Sequence, residues 1–393
     1  MKSLRDLFLL DPDVVFFNHG SFGATPRQVF DKYQFWQREM ERNPVKFIQR
    51  QLNHEMEQAR ADLGAYLHTN GENLIYVANA TFAMNVVIRS LNLGPDDEVL
   101  TTDHEYGAIN NTWHFMADKL GYRYINHPMP QPMTTHEEFV EKLWQGVTPK
   151  TRVISISHIT SPTALIFPVA EICKRAREAG IVTVVDGAHA PGQIALNLDE
   201  MGVDYYAGNC HKWLCSPKGA GFLYTHPDRQ SSLEPLVVSH GWRKNEPDQH
   251  TYVGVQQYQG TRDLAAFLAV PEAIRFQREH NWDQVSEDCH QLAGYALSSI
   301  LERYDLTPNS PVDADPRWWQ QMVSIPLPPM DVAAFSKHLM DDLHVEIPVG
   351  GRSGRPGMRL SIQGYNTKAE VDMLLDVIDE YTNLFKSADQ TDA

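Results

Sequence analysis

At 393 residues, with 42% hydrophobic and 21% charged residues, the chain is long enough for a large core and more than one structural unit. Its 34 basic and 50 acidic residues give a net charge of −16, which argues against nucleic acid or an anionic membrane as a partner. No apolar run of about 18 residues is present, Met1-Lys2-Ser3-Leu4-Arg5-Asp6 opens too polar for a signal peptide, and four cysteines point to reduced thiols, so a cytoplasmic location is expected.

In chain order, Leu74–Val77 reads as a strand, Thr81–Ser90 as a helix closed by Gly94-Pro95, and Val99–Thr101 as a second strand. Gly107–Leu120 reads as a helix and Tyr122–Ile125 as a strand. The β-branched run Val153–Ser157 is a buried strand. The helix after it puts Val169, Ile172, Cys173, Ala176 and Ala179 on one face and stops at Gly180, and Ile181–Val185 completes a βαβ unit. After about Pro271 helical stretches dominate to Tyr304. Thr367 and Glu370 form a capping box for a last helix with Val371, Leu374, Leu375, Ile378 and Tyr381 on one face.

The repeated units predict an α/β fold, a mostly parallel sheet sandwiched by helices, with a smaller α+β C-terminal domain. The expected division is a large domain of residues 15–275 and a small one of residues 1–14 with 276–393. Ligands in such sheets bind beyond the carboxyl ends of the strands. Thr81, His104, Ser157-His158, Asp186 and Lys212 all follow strand ends and should meet there.

Asp186 and Lys212 give that meeting point a chemistry. The lysine suits a Schiff base with pyridoxal 5′-phosphate and general-base work at a substrate Cα, while the acid keeps the pyridine nitrogen protonated. Small residues at Gly187-Ala188 let a flat ring approach the backbone, and His189 reaches towards its phenolic oxygen, with an ordinary loop histidine as the competing reading. Asn79-Ala80-Thr81 opens a helix and offers N–H and hydroxyl donors to a phosphate, to which Asn209 and His211 could add. His104 or Tyr106 could stack on the outer face of the ring. Arg359 suits bidentate capture of a substrate carboxylate, against the reading of a surface ion pair. Cys210 and Cys215 flank the lysine, but their spacing is not that of a zinc site.

A wider set of motifs carries a resemblance: Asn18-His19-Gly20-Ser21-Phe22-Gly23, Asp103-His104-Glu105-Tyr106, Val185-Asp186-Gly187-Ala188-His189, His211-Lys212-Trp213-Leu214 and Gly260-Thr261-Arg262-Asp263. With these the chain resembles the class V aminotransferase family of fold-type I pyridoxal phosphate enzymes, in its isopenicillin N epimerase-like branch. The resemblance implies Lys212 as the Schiff-base lysine, Asp186 as pyridinium partner and His189 near the ring oxygen. It also implies phosphate contacts from Thr81, Asn209 and His211, Thr261 reaching in from a neighbouring subunit of a homodimer, and Arg359 on the substrate carboxylate. Desulfurases of the family carry a nucleophilic cysteine on a loop before that arginine. Residues 348–357 hold none, so persulfide chemistry is not expected, while Arg352 and Arg355 could meet a second acidic group on a small amino-acid substrate.

Three reactions remain open. Epimerisation needs a second proton donor, for which Tyr106, His19 and the cysteines beside Lys212 are the candidates. A C–S β-lyase needs none, and transamination is a third reading.

Overall fold

The computed structural model describes residues 3–246, 250–308, 316–352 and 354–389. Its strands, in chain order, are β1 (Val15–Phe16), β2 (Leu74–Val77), β3 (Glu98–Thr102), β4 (Arg123–His127), β5 (Thr151–Ser157) and β6 (Val182–Gly187). There follow β7 (Tyr205–Asn209), β8 (Gly221–Thr225), β9 (Met322–Pro326), β10 (Val345–Glu346), β11 (Val349–Arg352) and β12 (Arg355–Ser361). Seven of them form the main sheet in the order β2-β8-β7-β6-β5-β3-β4.

Strands β4, β3, β5, β6 and β7 are mutually parallel, and β8 runs against both of its neighbours. Because β8 reverses and β2 reverses again, the carboxyl end of β2 lies on the same sheet edge as those of β3, β5, β6 and β7. That double reversal brings the helix after β2 to the site.

Alternation along each strand feeds two cores. Ile75, Val77, Val99, Val153, Val184 and Leu223 pack on one face with the helices Ala80–Ser90 and Gly107–Leu120. Tyr76, Leu100, Ile154, Ile156, Val185 and Tyr206 belong to the core on the other face. The sheet is therefore the sandwiched one expected, accompanied by a small antiparallel sheet ordered β11-β12-β9. The helix Trp282–Tyr304 packs against β9 and against the last helix, Lys368–Asp389. Strand β1 joins this side of the molecule by pairing with β10.

Local signals explain most element ends. Thr367 N–H donates to Glu370 Oε2 at 2.7 Å and Glu370 N–H to Thr367 Oγ1 at 3.3 Å, completing the capping box. Strand β6 starts later than its sequence suggests. The helix Val169–Glu178 ends with Gly180 at φ +70°, and Ile181 N–H returns to Ala176 O, so Ile181 closes the helix and β6 begins at Val182. Ala179, expected on the buried face, lies in this exposed closing turn. Among the described residues no helix is long and apolar enough to cross a membrane.

Candidate active site

A cavity of about 420 Å³ opens at the carboxyl ends of the strands. Its lining includes Asn79, Ala80 and Thr81 after β2, Tyr106 after β3, Ser157 of β5, Asp186, Ala188 and His189 of β6 and its loop, and Asn209, His211 and Lys212 at the end of β7. Arg359 of β12 reaches in from the small sheet. The N-terminal segment lies directly against the lysine loop. Gly23 has φ +70°, and a Cβ there would meet His211 O at 1.9 Å, so only glycine allows this approach.

Lys212 Nζ lies 3.2 Å from His189 Nε2. Burial lowers its pKa to about 8 despite the opposing charge of Asp186, and Arg359 lowers it further. The carboxyl of Asp186 moves the other way. Burial raises it, opposed by the Ala188 N–H on Oδ1 at 3.0 Å and by the charge of Lys212. Trp213 Nε1–H donates to His189 Nδ1 at 3.3 Å. Burial first, and Lys212 next, hold His189 well below the usual imidazole range, so the ring is neutral. Its proton must then sit on Nε2, pointing at the lysine. Trp213 thereby sets a tautomer that can donate to an oxygen placed beside Lys212.

At the helix N-terminus the donors are partly spent. Ala80 N–H goes to Asn209 Oδ1 at 2.8 Å, and Phe82 N–H to the Asn79 cap at 2.9 Å. The backbone donor expected of Ala80 is thus engaged within the protein, and Asn209 acts through its oxygen to fix the helix end. Thr81 remains facing the cavity. His211 needs a similar correction. Its Nδ1 lies 3.0 Å from Ala220 O, and burial lowers its pKa to about 4. A neutral His211 donates there and presents a lone pair at Nε2, so it can donate to a phosphate only once protonated.

Several residues expected at the site do not line the cavity. His104 is completely buried, with Nδ1 2.8 Å from Thr163 Oγ1 and its ring edge-on to Phe167, and it does not line the cavity. Tyr106, two residues on, does. His19 is also completely buried, held by Tyr365 Oη at 3.0 Å and Lys212 O at 3.1 Å against the Trp213 ring. It braces the lysine loop and does not line the cavity. Thr261 is exposed and outside the cavity of its own chain. His158 turns away to Tyr206 Oη at 2.8 Å. The space beside Gly187 is filled as well: a Cβ there would meet the Tyr206 ring at 2.1 Å, so this glycine serves core packing while Ala188 faces the site.

Arg359 is clamped by its neighbours, its Nη1 donating to Ser161 O and Oγ at 2.9 Å and its Nη2 to Ser21 Oγ at 2.8 Å. Its buried Nε has no partner. The fork lines a second cavity of about 540 Å³, bounded also by Asp103, Pro162, Val349, Gly350, Gly357 and Met358. Tyr106, Ser21 and Ser161 line both cavities. The Arg352 side chain lies outside the described residues.

Sequence reasoning missed two groups. Lys218 lines the first cavity, its Nζ donating to Gly23 O at 2.9 Å; a second lysine six residues after the first was the available signal. Glu105 accepts the Ser157 N–H and hydroxyl and the Thr102 hydroxyl, and burial raises its pKa to about 7. Nothing in its spacing signalled that role.

Comparison with known proteins agrees with this geometry. Residues 14–374 match the family model described as Aminotransferase class-V. Isopenicillin N epimerase of Amycolatopsis lactamdurans is 36% identical over 96% of this chain and 97% of its own. That of Streptomyces clavuligerus is 34% identical over 97% and 98%. Among solved structures, the apo cysteine desulfurase of Thermococcus onnurineus NA1 superposes with a TM-score of 0.82 at 19% identity, covering 98% of this chain and 99% of that one.

The residues present fit pyridoxal phosphate. A lysine with a lowered pKa, a buried acid beside it, a neutral histidine with its proton turned inward and a threonine at a helix N-terminus are the donor set this cofactor requires. The chain belongs to the class V aminotransferase family and is a pyridoxal-phosphate-dependent enzyme.

Proposed function

We propose that the protein epimerises an α-amino acid at Cα, as its isopenicillin N epimerase relatives are named for doing. The observation that carries this reading is the convergence of Lys212, Asp186 and the clamped fork of Arg359 on one cavity. Lys212 Nζ would hold the cofactor, and its free amine would accept or return the Cα proton. Asp186 would keep a proton on the ring nitrogen, and His189 Nε2–H would donate to the ring oxygen. Thr81 and the helix Ala80–Ser90 would receive the phosphate, with Lys218 supplying charge nearby. Bound there, the cofactor supplies an electron-withdrawing ring for the pair left at Cα. Arg359 takes the substrate carboxylate and fixes Cα beside Lys212, while the second cavity receives the substrate side chain.

The active form in this reading is a homodimer in the cytoplasm, with Thr261 offered to the partner's site. The C–S β-lyase reading uses the same base and is the runner-up. It is favoured by relatives named L-cysteine desulfhydrase and hercynylcysteine sulfoxide lyase, each 26% identical to this chain. Incubating holoenzyme with isopenicillin N and with a panel of L-amino acids in deuterated water separates the two. Solvent deuterium at Cα with inversion supports epimerisation. Pyruvate release from S-substituted cysteines without inversion contradicts it and supports the lyase.

A further inference from the structure

Inversion at Cα requires two proton carriers, one on each side of the carbon. Of the candidates in the sequence, His19, Cys210 and Cys215 are each completely buried, and none lines the cavity. Burial also pushes the Cys215 thiol up to about 12, which removes it as an exchangeable acid near neutrality. Tyr106 is different. It lines both cavities and is 46% exposed, so of these candidates it alone meets both the site and solvent.

Its approach is also the right one. Lys212 arrives on the loop after β7 and Tyr106 on the loop after β3, with β6 and β5 standing between those strands. The two side chains therefore enter from opposite flanks of the site. Arg359 is close enough to both for its charge to act on each. A carboxylate held by Arg359 would bring its Cα within the part of the site that both side chains line.

We propose that Tyr106 is the second catalytic proton carrier, acting at Cα from the side opposite Lys212. The inference rests on the epimerase reading. In one direction neutral Lys212 takes the Cα proton as that C–H bond breaks, and the Tyr106 hydroxyl gives its proton to form the new C–H bond on the other side. The turnover leaves Lys212 with one proton more and Tyr106 with one fewer, and exchange with water restores both. In the reverse direction the phenolate accepts and the ammonium donates.

The test is Tyr106→Phe in the holoenzyme, with isopenicillin N and its Cα epimer as separate probes in deuterated water. The expected result is interconversion reduced at least about 100-fold. Deuterium should still enter at Cα of one epimer alone, with retention, through Lys212. Binding of pyridoxal phosphate to the apoprotein, followed by fluorescence, should stay within about twofold of wild type. Interconversion near the wild-type rate, or equal loss of exchange from both epimers, overturns the assignment. If wild-type enzyme itself exchanges without inverting either epimer, the epimerase reading fails, and the proposal falls with it.

Discussion

The lysine flank and the arginine flank of this site are built differently. On the first, Lys212, His189, Trp213 and Asp186 form a connected set of buried groups whose protonation states follow from one another. On the second, Arg359 is clamped by two serines but faces a roomy, glycine-edged cavity, with the half-exposed Tyr106 beside it. The contrast teaches that the chemistry is fixed by burial on one side, while choice of substrate is left to space on the other. Changes on the lysine flank should therefore alter reaction with every substrate, and changes on the arginine flank should alter which substrate reacts.

The largest effect is expected from Lys212→Ala. Cα proton exchange should fall by about 10³-fold or more for all substrates, and the visible band of lysine-linked cofactor should vanish. Next is Arg359→Lys, which replaces a planar fork held by Ser21 and Ser161 with a point charge. Loss of about 1.5–3 kcal/mol of charged hydrogen bonding raises KM roughly 10- to 150-fold, with cofactor binding unchanged. Equal loss of cofactor binding in that variant would erase the distinction between the flanks.

Gly350→Leu sharpens it. Gly350 lines the second cavity, and a Cβ there meets nothing within 4 Å, so a larger side chain at its rim fits without disturbing the backbone. Reaction with amino acids of long side chain should fall by about tenfold or more, while reaction with small ones is unaffected. Equal slowing of both would make that cavity an entry route rather than a side-chain site.

A pH experiment probes the lysine flank without substrate. Uptake of pyridoxal phosphate by the apoprotein needs the neutral amine, so its rate should rise with pH and level off above about 8, where a lysine at 10.5 would keep rising. The linkage has a definite sign. Between about 8 and 10.5 the unfolded chain holds the Lys212 proton that the fold has lost, so this group makes apoprotein stability rise with pH across that window. The smallest effect is that of Asn79→Ala, which removes the cap on Phe82 N–H and should cost about 1 kcal/mol in a melting experiment.

Much of this was legible in the sequence because strand ends and helix caps are local features. The positions of Asp186, Lys212 and Thr81 could be read from apolar runs that stop at a polar residue, that of Arg359 from the strand residues around it, and each of them lines the cavity. The side chain that turns inward could not be read that way. His104 and Tyr106 share one loop, and only packing against Thr163 and Phe167 decides that the histidine goes into the core and the tyrosine into the site. His19 is hidden for the same reason, by Trp213 and Tyr365, which are 194 and 346 residues away in sequence. Glu105 is set by a long-range bond to Ser157 that no spacing announces.

Two lysines line the cavity, and the account depends on only one of them carrying the cofactor. Reducing the holoenzyme with borohydride, digesting it and mapping the peptides by mass makes the most direct test. The cofactor should be found on the peptide at Lys212. Finding it on Lys218, or on neither, would contradict the assignment.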